Sequence, residues 1–154
     1  MQQRGFMMIL VLVVLAGLLF VLLQRGQGNE SVDEQHVDEV VASYEISAEN
    51  ALKRIQSNDT VVLLDVRTQA EFDVAHLENA ILVPVQELSQ ESLTAASLGE
   101  DKKDQEIIIY CRSGARSKMA YDIMEGLGYT NIKSLAGGMI HWEEDEHPVI
   151  LQNE

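Results

Sequence analysis

The chain has 154 residues, which is enough for one domain and little more. Its formal net charge is −14, which argues against nucleic acid as a partner, because the phosphates would be repelled, and against electrostatic docking on anionic lipid. It contains one cysteine, so an intramolecular disulfide is excluded and the fold is not a disulfide scaffold.

The first predicted element is an apolar run over residues 6–23, interrupted only by Gly17. As a helix rising ~1.5 Å per residue, its ~18 residues span ~27 Å, close to the ~30 Å hydrocarbon core of a bilayer. A cleaved signal peptide is the alternative, but its apolar part is normally ~7–15 residues long and ends in a small-residue cleavage site. Residues 21–25 lack that pattern. We therefore predict an uncleaved, single-pass anchor in the cell membrane.

The orientation of this anchor depends on the charges that flank it. Arg4 and the α-amine precede the run, whereas Arg25 follows it and acidic residues come next. Because positive residues favour the cytoplasmic side, the asymmetry predicts an extracytoplasmic domain, with a cytoplasmic domain as the alternative. Residues 24–43 are polar, acidic and without Phe, Trp or Tyr, and so predict a flexible linker.

Helices are predicted after the linker where a polar capping residue precedes an apolar face. Ser47 precedes a helix that begins at Ala48, and Thr68 precedes a short helix. A longer helix is predicted over residues 115–127, with Gly128 as its C-cap.

Strands are predicted where short continuous apolar runs occur, which is typical of strands buried on both faces. These runs cover residues 61–64, 81–83 and 107–110, and a last strand is predicted over residues 131–135. Strands and helices alternate along the whole segment, and this alternation predicts an α/β domain with a mainly parallel sheet.

Cys111 lies at the carboxyl end of the strongest predicted strand, the edge where open α/β sheets place their ligands. The loop over residues 112–117 is small and contains glycine, so its N–H groups can turn inward as an anion-binding nest beside a helix N-terminus. Arg112, Arg116 and Lys118 add full positive charges. These surroundings favour the thiolate and predict a lowered pKa for the thiol. An inert buried cysteine, the alternative, would have apolar neighbours on both sides, whereas here they lie only on the strand side.

The histidines do not predict a metal site. They are scattered, and none has metal-ligand spacing to another histidine or to Cys111: His36, His76, His141 and His147. We therefore predict neither a metal nor a cofactor, so the loop itself has to activate the sulfur.

Three motifs occur in order along the predicted domain. Residues 64–84 contain LDVR, EF, HL and a proline, and they resemble the first signature of the rhodanese family. The sequence YCRSGARS at residues 110–117 resembles its active-site loop, and LAGG with Trp142 resembles its closing signature. The resemblance covers residues 44–151. It implies an α/β rhodanese domain with a central, mainly parallel sheet of five strands flanked by helices.

The resemblance also implies the activity, a sulfurtransferase in which Cys111 takes sulfane sulfur from a small anionic donor such as thiosulfate and holds it as a persulfide. A thiophilic acceptor, cyanide or a thiol, then receives the sulfur. The loop residues implied to bind the donor are Arg112, Ser113, Gly114, Ala115 and Arg116. The residues implied to support the fold and the loop are Asp65, Arg67, Glu71 and His76.

Two departures from the family pattern fall outside the loop. Ala75 and Asn79 stand where the family often has glycine, which concerns local turn geometry rather than activity.

Related phosphatases are a first alternative to a sulfurtransferase. Their loop from cysteine to arginine is one residue longer, and the shorter loop here suits a sulfur atom better than a phosphate. A second alternative is a non-catalytic or thiol-redox module that binds a partner protein.

Overall fold

The computed structural model describes residues 44–58 and 60–151. The predicted anchor at residues 6–23 and the predicted linker at residues 24–43 lie outside the described residues. Within the described ranges, no helix combines the length and the apolar character needed to cross a membrane. The membrane anchor therefore stays a prediction.

A parallel sheet forms the centre of the described domain. The strands are β1 (Glu45–Ile46), β2 (Val62–Asp65), β3 (Ala75–His76), β4 (Ile81–Leu82), β5 (Ile107–Tyr110), β6 (Ile132–Leu135) and β7 (Ile150–Leu151). Five of them form one sheet in the order β1-β6-β5-β2-β4, and every neighbouring pair runs parallel. The predicted mainly parallel, five-stranded sheet is confirmed. The strands β3 and β7 form a separate antiparallel pair that the sequence analysis did not predict.

The helices flank the sheet, and the first two of them begin at the predicted caps. They are α1 (Ala48–Ser57), α2 (Gln69–Val74), α3 (Gln90–Ala95), α4 (Ala115–Gly126) and α5 (Gly138–Glu144). Ser47 accepts a hydrogen bond from the Asn50 N–H at the start of α1, and Thr68 forms a capping box with Glu71 at the start of α2. The side chains of Ser47 and Thr68 thus fix where these two helices begin.

Some boundaries differ from the prediction by one residue. The strand β2 extends to Asp65, which pairs in register with Tyr110, because Arg67 satisfies the Asp65 carboxylate. The helix α4 ends at Gly126 rather than at residue 127. Gly128 then adopts a left-handed conformation with φ +91°, which lets the carbonyls of the last turn accept N–H groups from beyond the helix.

Side chains alternate along β5 and divide the core into two layers. Ile107 and Ile109 pack with Cys111 and with side chains of α4, such as Met124. Ile108 and Tyr110 point the other way, into the layer formed with α1 and α5. Each fully buried large apolar side chain stabilises the fold by roughly 1.5–3 kcal/mol. The alternation places the cysteine on the α4 side of the sheet, at the edge where β5 ends.

Candidate active site

The Cys111 sulfur lies inside the loop that joins β5 to α4. The residue is buried, with 1% of its surface exposed. Its Sγ accepts a hydrogen bond from the Gly114 N–H at 3.2 Å and lies 3.6 Å from Ser117 Oγ. Gly114 has φ +98°, a left-handed conformation that turns its N–H back toward the sulfur and that a side chain would strain. The loop therefore directs donors at the sulfur, as the predicted nest requires.

These donors control the ionisation of Cys111. Burial raises the pKa of the thiol, but hydrogen bonds from the Ser117 hydroxyl and from the N–H groups of Ser117, Ser113 and Gly114 lower it. The net pKa lies below the ordinary value of a cysteine, in the direction that the sequence analysis predicts. The thiolate, the nucleophilic form, is thus favoured at the end of β5.

The N-terminus of α5 donates backbone hydrogen bonds to the start of the cysteine loop. The N–H of Met139 donates to the Cys111 carbonyl at 2.8 Å, and the N–H of Ile140 donates to the Arg112 carbonyl at 3.0 Å. Gly138 has φ +58°, and a Cβ at this position would collide with the carbonyl of Cys111 and with the backbone of Arg112. The second glycine of the AGG sequence is therefore required by the close approach of two backbones.

Arg116 is joined to a carboxylate from another helix. Its two terminal nitrogens each donate to Glu71 at 2.7 Å, and the side chains of the pair are 26% and 31% exposed. The hydrogen bond from Arg116, with further bonds from Thr68, lowers the pKa of Glu71 to about 2 against the opposing effect of burial. The structure thus places one of the predicted donor-binding residues in an ion pair.

Arg112 faces solvent at the mouth of the loop. A cleft of about 420 Å³ opens beside it. The cleft is lined by residues from α2, α5 and the segments around them: Arg67, Ala70, Glu71, Val74, Ala75, Arg112, Met139, Ile140 and Glu143. Among the residues that the structure describes, none forms an ion pair with Arg112. Arg112 therefore borders the cleft without a neutralising ion pair in the described ranges.

The remaining predicted supporting residues hold the elements around the loop. Arg67 donates to both carboxylate oxygens of Asp65, at 2.6–3.0 Å, and to the Ala75 carbonyl at 2.6 Å. Both charged side chains are buried, and Asp65 points to the sheet face opposite Cys111, because it alternates with Leu64 in the cysteine layer. The pair therefore joins β2 to the end of α2.

His76 contacts the helix α2 through Phe72. Its Nδ1 lies 2.9 Å from the Phe72 carbonyl, and its ring stacks on the Phe72 ring at 3.9 Å. In the part of the chain that the structure describes, no group of three or more His, Cys, Asp or Glu side chains could hold a metal ion. His76 thus acts on local packing at the end of α2.

The two departures from the family pattern fit the local backbone. Ala75 has φ −158°, an extended conformation that any residue adopts. Asn79 has φ +60°, where glycine is favoured and asparagine is among the better-tolerated replacements. Both turns therefore keep their geometry without glycine.

Two buried hydroxyls at the site were not predicted. Ser117, in the first turn of α4, and Ser134, in β6, are both fully buried. Ser134 Oγ lies 2.8 Å from Ser117 Oγ, which in turn lies 3.0 Å from the Gly114 carbonyl. The available signal in the sequence was the alternation in β6, where Ser134 falls on the same face as the apolar Ile132 and opposite to Lys133.

Comparison with known proteins agrees with this geometry. The family model of the Rhodanese-like domain matches residues 47–145, which is more than half of the chain. This chain belongs to the rhodanese-like domain family. The matched segment contains the whole loop, the Glu71 ion pair and both buried serines.

The relatives of this chain include a sulfurtransferase and tRNA uridine(34) hydroxylases. A sulfurtransferase from Allochromatium vinosum is 33% identical over 106 residues, covering 69% of this chain and 94% of that protein. A tRNA uridine(34) hydroxylase from Photorhabdus laumondii is 29% identical over 113 residues, but the chain spans only 32% of that protein. A solved structure, a rhodanese-related protein from Thermoplasma volcanium, has a TM-score of 0.59 at 29% identity, over 70% of this chain and 97% of that one.

Proposed function

We propose that this domain is a sulfurtransferase in which Cys111 carries sulfane sulfur as a persulfide. The observation that carries the proposal is the position of the cysteine sulfur, which accepts the Gly114 N–H at 3.2 Å with the Ser117 hydroxyl beside it. The sulfurtransferase relative, of which the chain covers 94%, supports the same activity. Because the chain spans only a third of the tRNA hydroxylase, hydroxylation is not proposed.

The reaction has two steps, with thiosulfate as the proposed donor. In the first step the Cys111 thiolate attacks the outer sulfur of thiosulfate. A new S–S bond forms on Sγ while the S–S bond of thiosulfate breaks, and sulfite leaves with the electron pair. In the second step cyanide or a thiol attacks the outer sulfur of the persulfide, and the electrons of the S–S bond return to Cys111 as a thiolate.

The loop and Arg112 have separate roles in these steps. The N–H groups around Cys111 stabilise negative charge on the thiolate and then on the persulfide. Arg112 borders the cleft and offers its charge to the anionic donor. Arg116 shares its charge with Glu71, so the pair shapes the loop and adds little net charge to the donor site.

The phosphatase and binding-module alternatives predict different chemistry. Four residues separate Cys111 from Arg116, and the terminal nitrogens of that arginine are held by Glu71. A phosphate would need these nitrogens, because phosphate recognition by arginine uses parallel N–H donors. A module used only for binding has no need for an activated sulfur, and a thiol-redox module would need a partner thiol, because the chain has one cysteine. The ion pair thus favours sulfur transfer over phosphate chemistry.

The cell membrane is the proposed location of the domain. We propose that residues 6–23 anchor it in the cell membrane as a single span and that the domain faces out of the cytoplasm. The support is the length of the apolar run and the flanking charges in the sequence.

The test of the activity is a paired assay on the wild type and the variant Cys111→Ser. Wild-type protein should transfer sulfur from thiosulfate to cyanide and leave an aryl phosphate intact, whereas the variant should transfer none, since a hydroxyl cannot form the persulfide. Thermal unfolding of both proteins controls for loss of fold. Turnover of the aryl phosphate without sulfur transfer, or undiminished transfer by the variant, would reject the proposal.

A further inference from the structure

Ser134 is a polar residue in a place that the core would fill with an apolar one. It lies in β6, directly opposite Ile109 of the strand that ends at Cys111, and it is fully buried. Its hydroxyl lies 2.8 Å from Ser117 Oγ. A hydroxyl buried in an apolar layer is unfavourable unless it is hydrogen-bonded, so the bond to Ser117 accounts for its presence there.

The Ser117 hydroxyl can donate to only one of its neighbours at a time. Ser117 Oγ carries one proton and has two acceptors in reach, the Gly114 carbonyl at 3.0 Å and Cys111 Sγ at 3.6 Å. A thiol at Cys111 can donate to Ser117 Oγ, and the Ser117 proton then serves the Gly114 carbonyl. A thiolate cannot donate, so it competes for the same Ser117 proton.

Ser134 biases this competition without touching the sulfur. When Ser134 donates to Ser117 Oγ, it occupies a lone pair of that oxygen and polarises the Ser117 O–H bond, because hydrogen bonds in a chain strengthen one another. The occupied lone pair is also less available to a thiol proton. Both effects favour the state in which Ser117 donates to sulfur.

We propose that Ser134 is a positioning residue of the sulfur site, whose hydroxyl donates to Ser117 Oγ and holds the Ser117 proton toward Cys111 Sγ. The role in turnover rests on the proposed sulfurtransferase function, whereas the effect on the free cysteine does not. Because Ser134 acts through Ser117, its influence disappears when the Ser117 hydroxyl is absent.

The variants used to test this role change no charged group around the site. A change in the ionisation of Cys111 therefore results from the change in the serine hydroxyls. These groups come from β2, the turn after β2, α2, the turn after β4, the loop, α4 and α5: Asp65, Arg67, Glu71, Glu87, Arg112, Arg116, Lys118 and Glu143.

The experiment follows the rate of Cys111 alkylation by iodoacetamide across pH, since only the thiolate reacts and the chain has one cysteine. The variants are Ser134→Ala, Ser117→Ala and the double variant. Ser134→Ala should move the midpoint of the profile to higher pH and slow alkylation near neutral pH by roughly 3- to 10-fold, since one pKa unit changes the thiolate fraction about tenfold. Ser117→Ala should move the midpoint further, and the double variant should match Ser117→Ala.

Two further variants distinguish the effect of the Ser134 hydroxyl from an effect of core packing. Ser134→Thr keeps the hydroxyl and should restore the wild-type midpoint. Ile132→Val removes one buried carbon from the same face of β6 and should leave the midpoint unchanged. The thermal midpoint of each variant shows that it is folded. A wild-type profile in Ser134→Ala, or a double variant whose shift equals the sum of the two single shifts, would overturn the proposal.

Sulfur transfer from thiosulfate is measured on the same proteins. Turnover by Ser134→Ala should fall in parallel with its thiolate fraction. If the wild type transfers no sulfur while the alkylation profiles shift as described, the sulfurtransferase function fails and the role of Ser134 in ionisation stands.

Discussion

The guanidinium of Arg116 donates two hydrogen bonds of 2.7 Å to the carboxylate of Glu71, 45 residues earlier in the chain. The same carboxylate accepts the N–H of Thr68 at 3.1 Å and its hydroxyl at 2.9 Å. Glu71 therefore joins the start of α2 to the first turn of α4, which is the turn that closes the cysteine loop.

Glu71→Gln should destabilise the domain in a pH-dependent way. The pKa of Glu71 is about 2 in the folded protein and ~4.3 in an unfolded chain. A depressed carboxyl pKa stabilises the fold above the unfolded value, and this contribution is lost as pH falls from about 4 toward 2. Because solvent screens the partly exposed pair, we expect a loss of only about 1–2 kcal/mol near neutral pH.

Urea unfolding of the wild type and the variant near neutral pH and near pH 2–3 measures this contribution. Glu49→Gln, which removes the exposed carboxylate of an i,i+4 pair with Lys53, is the control and should change stability far less. A difference between wild type and Glu71→Gln that stays constant across this pH range would show that the ion pair is not its source.

Arg112→Ala should weaken donor binding. Arg112 borders the cleft without an ion pair among the described residues, so its charge is available to thiosulfate. We expect KM for thiosulfate to rise about tenfold with little change in kcat, which corresponds to one lost charge-assisted contact of ~1.4 kcal/mol. Arg54→Ala removes an exposed arginine paired with Glu106 and is the control. Steady-state kinetics in which both variants keep the wild-type KM would exclude Arg112 from the donor site.

Gly138→Ala should damage both stability and turnover. The added Cβ would meet the Cys111 carbonyl in a backbone with φ +58°, so the start of α5 must move away from the loop. We expect a loss of at least ~2 kcal/mol. Gly126→Ala is the matched control, because no atom lies within 4 Å of its Cβ in the last turn of α4, and it should stabilise by about 0.5–1 kcal/mol. Equal unfolding midpoints for the two variants would contradict the close approach of the two backbones.

The predicted anchor should hold the full-length chain in membranes. With ~18 apolar residues, it should resist alkaline extraction, whereas a chain without residues 6–23 should not. A soluble mature protein that begins near residues 24–30 would indicate a cleaved signal peptide instead. A reporter fused after Glu154 tests the orientation, and a cytoplasmic reporter signal would reverse the proposed topology.

Local signals in the sequence were sufficient for most of the sheet and for the position of the cysteine. Four consecutive strand-forming residues before Cys111 predict β5, and Ser47 and Thr68 mark helix starts because a cap is a local hydrogen bond. The sequence did not predict the short strand β1, because it contains two residues and forms only through pairing with β6. Its stability comes from a distant partner that periodicity does not show.

The partners of the site residues also depend on contacts between distant segments. The resemblance assigned Arg116 to the donor, whereas the structure pairs it with a carboxylate on another helix, a contact that spacing along the chain does not reveal. Ser134 gave only the weak signal of a hydroxyl on the same strand face as Ile132. Its role becomes visible when β6 and α4 bring two serines together.

Mass spectrometry of the cysteine-containing peptide after incubation with thiosulfate tests the central claim most directly. The account predicts an increase equal to the mass of one sulfur atom on Cys111, and it predicts that cyanide or a thiol removes this increase. The variant Cys111→Ser should remain unmodified under the same conditions. An unchanged mass on the wild-type peptide, or an adduct that no acceptor removes, would contradict sulfur transfer through a Cys111 persulfide.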